Sequence, residues 1–234
     1  MGTMTAWADA SEPNLAIQWP TPHSSDESSD PSRRWPPSGR SLRLGVLASG
    51  HGSNFEALVQ ACRSGSLVAE VVQLVVNNPA CGARQRAARL GVPCLLHDHR
   101  DHRQRQDLDR AVVTSFAAAS VDLVVMAGWM RIVTPVLIGA YPDRLVNIHP
   151  SLLPSFRGLD AVGQALAAGV TLSGCTAHLV VEEVDGGPIL VQAAVPVLPG
   201  DDHDRLAARI QVQEHRILPY AVALAAARLP LAQG

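Results

Sequence analysis

From residue 41 onward the apolar positions fall into compact blocks, alternately continuous and helically spaced. Residues 42–48 (Leu-Arg-Leu-Gly-Val-Leu-Ala) form a continuous run that stops at Ser49-Gly50-His51-Gly52-Ser53-Asn54. Phe55, Leu58, Val59 and Cys62 follow at a helical period and Gly65 ends them, the pattern of a helix with one buried face. The same reading predicts strands over 68–76, 92–96, 121–127, 145–148, 174–181 and 189–197. It predicts helices over 83–90, 104–119, 161–168 and 202–226, a short one from Thr134, and a bend in the last at Pro219. Strands alternating with helices give an α/β domain, a mostly parallel sheet with helices on both faces. The strands are near-unbroken apolar runs, as parallel strands buried on both sides must be. Ligands of such sheets bind beyond the carboxyl ends of the strands. Chemistry is therefore expected in the loops after Ala48, Asn77, Ala127 and Ile148.

Residues 1–40 break this pattern: they hold seven serines and six prolines and no apolar period. Such a segment buries too little surface to offset its ordering entropy. It is expected to be a disordered N-terminal extension, with one catalytic domain over 41–234. Net charge is -2, from 19 basic against 21 acidic residues, without the basic excess of a protein that neutralises nucleic-acid phosphates. All 19 basic residues are arginine. A chain without lysine cannot form Schiff bases, hold pyridoxal phosphate covalently or build a Walker-type phosphate loop. Three of the four tryptophans, Trp7, Trp19 and Trp35, lie in the extension, so no aromatic platform for bases is expected in the body. Cys62, Cys81, Cys94 and Cys175 show no C-x-x-C spacing and read as free thiols of a reducing compartment. No apolar run reaches the roughly 18 residues of a membrane span, and no signal or transit pattern opens the chain. The expectation is a soluble cytoplasmic protein with small-molecule substrates, no nucleic acid and no membrane; protein partners are not legible.

Three stretches carry candidate chemistry. Gly50-His51-Gly52-Ser53-Asn54 joins a strand to a helix, so free backbone N–H groups and the positive end of the helix dipole can hold a phosphate. A cap by Ser53 or Asn54 is compatible with that role. A dinucleotide fingerprint would need glycine where Phe55 stands and an acid where Asn77 and Asn78 stand, which disfavours NAD. His97-Asp98-His99-Arg100-Asp101-His102 fits the H-x-H-x-D-H spacing of a dinuclear metallohydrolase. Arg100, Arg103 and Arg105 would repel cations there, so a solvated loop and no metal are expected. The third stretch is Asn147-Ile148-His149-Pro150-Ser151-Leu152-Leu153-Pro154. Residues two apart on a strand share a face, so Asn147 and His149 point into one pocket. An amide beside an imidazole can hold an oxyanion and move a proton. The turn Val184-Asp185-Gly186-Gly187-Pro188 can bring a carboxylate beside His149.

Gly52-Ser53-Asn54, Ala127-Gly128-Trp129-Met130-Arg131-Ile132, Asn147 to Pro154 and Asp185-Gly186-Gly187-Pro188 occur in one order and spacing. Together they resemble the phosphoribosylglycinamide formyltransferase family from about Leu42 onward. The resemblance implies a Rossmann-like mixed sheet. It also implies transfer of the formyl group of 10-formyltetrahydrofolate, a co-substrate, to the amine of glycinamide ribonucleotide in purine biosynthesis. By the same resemblance Asn147 and His149 hold and protonate the tetrahedral oxyanion, and Asp185 supports His149 and assists proton transfer through water. Gly52, Ser53 and Asn54 take the substrate phosphate and Glu214 the ribose hydroxyls. Arg105, Met130, Arg131, Ile132 and Val133, with Asn147, line the folate pocket, and the backbone of 180–185 flanks the pterin.

Two relatives share parts of this pattern. Formyltetrahydrofolate deformylase uses the same Asn, His and Asp, but is expected to carry a folded domain ahead of them and to lack Pro150. Methionyl-tRNA formyltransferase shares the Ser-Leu-Leu-Pro run but is expected to add an RNA-binding domain. The metallohydrolase reading of residues 97–102 remains as an alternative of another class.

Overall fold

In a computed structural model, which describes residues 41–228, the apolar runs pair into one seven-stranded sheet. The extension expected over 1–40 lies outside the described residues. The elements run β1 (Leu42–Ala48), α1 (Ser53–Arg63), β2 (Ala69–Val76), α2 (Gly82–Leu90), β3 (Cys94–Leu96), α3 (Arg105–Ala118) and β4 (Leu123–Met126). They continue with α4 (Pro135–Ala140), β5 (Leu145–His149), α5 (Ala161–Ala167), β6 (Leu172–Leu179), β7 (Ile189–Pro196) and α6 (His203–Ala227). Sheet order is β3-β2-β1-β4-β5-β6-β7. Strands β1 to β5 are parallel, and β6 and β7 are added antiparallel. The fold is therefore the mostly parallel α/β sheet that the pattern predicts, and it is mixed as the resemblance implies.

The chain steps outward from β1 to β3, then returns to the other side of β1 with β4. Beside that reversal the loops leaving β1 and β4 diverge, which opens a crevice where open α/β sheets bind ligands. One face of the sheet packs under α3 and α4: Leu47, Val75, Val112, Phe116, Leu137 and Tyr141 form one buried cluster. Gly45 belongs to the same face; a side chain there would meet the Phe116 ring at 2.8 Å. On the opposite face α1 and α6 pack together. Leu206, Ile210, Ile217, Leu218, Ala221, Val222 and Ala225 form the buried stripe of α6, and its spacing is that of a helix with one apolar face. Pro219 sits inside α6, which continues to Ala227.

Boundaries moved where backbone donors were missing or side chains intervened. β3 begins at Cys94 and not at residue 92, because Pro93 has no N–H and only its carbonyl joins the ladder, accepting from Leu74. β4 begins at Leu123, since Asp122 turns its carboxylate to the Arg43 N–H at 2.9 Å. A short 3₁₀ turn at His99–Asp101, capped by Asp98, precedes α3.

Candidate active site

At the carboxyl end of β1 the chain turns through Gly52, which has φ 80° and is the N-cap of α1. Only glycine fits: a Cβ there would lie 2.7 Å from Ala83 of α2. Neither Ser53 nor Asn54 caps the helix, contrary to the capping expected from the sequence; they are its first two residues and no side chain caps it. The first-turn N–H groups thus lack intrahelical acceptors and open to the crevice. Asn54 is buried and donates Nδ2 to Glu214 Oε2 at 2.8 Å. Its Oδ1 has no partner among the described residues. Burial raises the pKa of Glu214, and the Asn54 hydrogen bond opposes that rise only in part.

The loop leaving β4 forms the opposite wall. Gly128 accepts from Ser49 N–H at 3.0 Å, and the Met130 N–H donates to Ser49 Oγ at 2.9 Å. Trp129 and Val133 are buried in the core, whereas Met130 is 70% and Ile132 51% exposed. Arg105, the first residue of α3, reaches the same wall.

β5 supplies the centre. Asn147 and His149 both line the crevice, as strand alternation requires. The Ser-Leu-Leu-Pro run after them is held by Thr176, whose hydroxyl donates to Ser151 O at 2.7 Å and accepts from Leu153 N–H at 3.0 Å. That loop returns Phe156 O to within 2.8 Å of His149 Nε2. The other ring nitrogen, Nδ1, lies 3.4 Å from Asp185 Oδ2. Asp185 stands in the β6–β7 turn with φ 52°. Gly187, two residues on, approaches Leu179 O so closely that a Cβ would fall 1.8 Å from it. Gly158 N–H donates to Asp185 Oδ2 at 2.8 Å. Burial, the largest single influence, works to raise the pKa of Asp185. The nearby His178 ring, the Gly158 N–H and the His149 ring together outweigh it and hold the carboxyl below its ordinary range.

His178 was not singled out from the sequence. The antiparallel register sets it directly across from Asn147. Its Nδ1 is 2.9 Å from Leu179 O and must donate, since a carbonyl only accepts. Its Nε2 therefore accepts from Asn147 Nδ2 at 3.2 Å in the neutral ring, and it also stands 3.6 Å from Asp185 Oδ1. The contact fixes the Asn147 amide with its second N–H free for a ligand.

Every residue to which the resemblance assigns a role, from Gly52 to Glu214, lines this one crevice of about 710 Å³. The residues 97–102 do not join it. His97 Nε2 meets Ser115 Oγ at 2.8 Å, His99 Nδ1 meets Asn77 O at 2.9 Å, and Asp98 pairs with Arg100 at 2.5 Å. His97 and His102 meet edge-on with their ring centroids 6.4 Å apart, and no metal-holding cluster of His, Cys, Asp or Glu exists among the described residues. No helix among those residues is long and apolar enough to cross a membrane.

The pattern that defines the Formyl transferase family matches residues 42–222. The chain belongs to that family. The family's enzymes transfer formyl groups. Phosphoribosylglycinamide formyltransferase of Escherichia coli is 38% identical over 181 residues, 77% of this chain and 85% of that protein. The trifunctional purine biosynthetic protein adenosine-3 of Drosophila melanogaster is 46% identical over 187 residues, 79% of this chain. The chain spans only 14% of that fly protein's length. Among solved structures, glycinamide ribonucleotide transformylase 1 of Symbiobacterium toebii superposes with a TM-score of 0.80 at 42% identity, covering 86% of this chain and 95% of that one.

Proposed function

We propose that this formyltransferase moves the formyl group of 10-formyltetrahydrofolate to the amine of glycinamide ribonucleotide. The observation that supports it is the meeting of Asn147, His149 and Asp185 in a crevice that also holds an open helix N-terminus. The free N–H groups of α1 with Ser53 suit a phosphate. Asn54 and Glu214 offer acceptors for ribose hydroxyls beside it. Met130, Ile132 and Val133, with Arg105 and Arg131 at the margin, suit a flat apolar ring that carries an acidic tail.

The amine attacks the formyl carbon and negative charge gathers on the formyl oxygen. The free N–H of Asn147 and the Nδ1–H of the protonated His149 ring, whose Nε2–H stays on Phe156 O, are the donors that receive it. The 3.4 Å spacing between His149 Nδ1 and Asp185 is longer than a settled hydrogen bond, so that nitrogen can turn to a substrate oxygen. Asp185, held ionised by its neighbours, accepts the proton released by the attacking amine, through water. Collapse of the tetrahedral carbon then expels the folate nitrogen, which takes a proton from His149. No covalent enzyme intermediate is required.

The test is a spectrophotometric assay of the folate donor with and without glycinamide ribonucleotide. Donor consumption only in the presence of the ribonucleotide is expected. Equal consumption in its absence would assign the crevice to deformylation, and none in either case would remove the reading.

A further inference from the structure

Asp109 lies in the second turn of α3, is 2% exposed and takes no part in the chemistry described above. Its neighbours Leu108 and Val112 belong to the hydrophobic core. A carboxyl group kept among such residues must be satisfied by hydrogen bonds or it destabilises the fold. Its hydrogen bonds among the described residues both come from Thr134: the N–H at 2.6 Å and the hydroxyl at 2.7 Å, each donating to Oδ2. Because the Thr134 hydroxyl donates to Asp109, its lone pairs turn to the Val136 N–H at 3.3 Å and cap α4.

Thr134 closes the segment that leaves β4. That segment is tied at its other end by Ser49, through Gly128 O and the Met130 N–H. Residues 129–134 thus form a strap with two anchors. Between the anchors, Met130 and Ile132 present largely exposed apolar side chains to the crevice. Arg105, one helical turn before Asp109 on α3, borders the same wall. One helix therefore supplies both a wall residue and the anchor of the strap.

We infer that Asp109 is a positioning residue for the formyl-donor half of the crevice, acting through Thr134 to hold residues 130–133 in register with Arg105. The inference rests on the reading of those residues as the donor wall. Asp109 touches neither substrate, and the Ser53, Asn54 and Glu214 end of the crevice has its own supports on α1 and α6.

The experiment measures KM for each substrate, and donor binding by titration calorimetry with 10-formyltetrahydrofolate, in the full chain and its variants. Asp109→Ala is expected to raise the donor KM and dissociation constant about ten-fold, the scale of one lost hydrogen bond to a charged group. The KM for the ribonucleotide stays within about two-fold. Asp109→Asn, whose amide oxygen can still accept from Thr134, recovers most of the loss. Thr134→Val, which keeps the N–H contact and loses the hydroxyl, falls between and carries the test if Asp109→Ala does not fold. Equal changes in both KM values, an unshifted donor KM, or Asp109→Asn as impaired as Asp109→Ala would each overturn the inference. Loss of the formyl-transfer reading would show separately, as a wild-type chain that turns over no donor.

Discussion

Asp185 and Glu214 are carboxylates of the same crevice, and their surroundings push them in opposite directions. Two histidines and a backbone N–H outweigh burial at Asp185 and keep it ionised; burial prevails at Glu214, and its pKa rises. Such a division between neighbouring acids is how one site holds groups for different tasks. The contribution of Asp185 to stability is present above the ordinary aspartate pKa and is lost as pH falls through its lower folded value. Glu214 behaves in reverse: its folded form keeps the proton longer than the unfolded chain, so its contribution declines as pH rises from the ordinary glutamate range through the raised value. Glu214→Gln should therefore raise the thermal midpoint at pH 7.5 by about 2–4 °C while weakening ribonucleotide binding. A lowered midpoint in a thermal melt would contradict the account. His149→Ala and Asp185→Ala are each expected to cut kcat by about two powers of ten or more, read in the donor assay; near-wild-type turnover would remove them from the chemistry. The sequence exposed Asn147 and His149 because their residue types are uncommon in an apolar run; Asp185, of a type common in turns, was legible through the Asp185-Gly186-Gly187-Pro188 motif. It concealed His178, whose importance depends on the antiparallel pairing of β6 with β5. Asp109 was hidden too, as one polar residue in a helix whose partner lies 25 positions on.

At the scale of elements, α1 matters through the place where it starts. Gly52 lets the chain enter the helix left-handed against α2, so Gly52→Ala must displace either Ala83 or the first-turn N–H groups. The expected result is a higher KM for the ribonucleotide, by about ten-fold or more, with far less change for the donor. Initial-rate kinetics with each substrate varied would show it. Ser49 joins the phosphate loop to the strap that leaves β4. Ser49→Ala should therefore raise both KM values, in contrast to the one-sided effects at Gly52 and Asp109. The strand and helix blocks were legible because burial imposes a period on the sequence. Their ends were less so, since Pro93 and Asp122 set them through single donors and acceptors, which leave no periodic trace.

For the whole molecule, the order β3-β2-β1-β4 fixes the crevice before any side chain is considered. The parallel body was predicted from alternating strands and helices. The antiparallel direction of β6 and β7 was not, because strand direction is set by the path of the connections and not by composition. The residues lining the crevice lie between 50 and 214, within the stretch matched by the family. A chain beginning at Ser41 is expected to keep kcat and both KM values within about two-fold of the full chain; a large loss would give residues 1–40 a part in the reaction.

That shortened chain would also have one indole. Trp129 is the only tryptophan after residue 40, and it sits on the strap, buried, with its Nε1 lacking a partner among the described residues. Its emission would report on the wall of the crevice alone. A folate ring settling beside Met130 would quench or shift that light without any label, so donor binding, its rate and its loss in strap variants could be followed optically in real time.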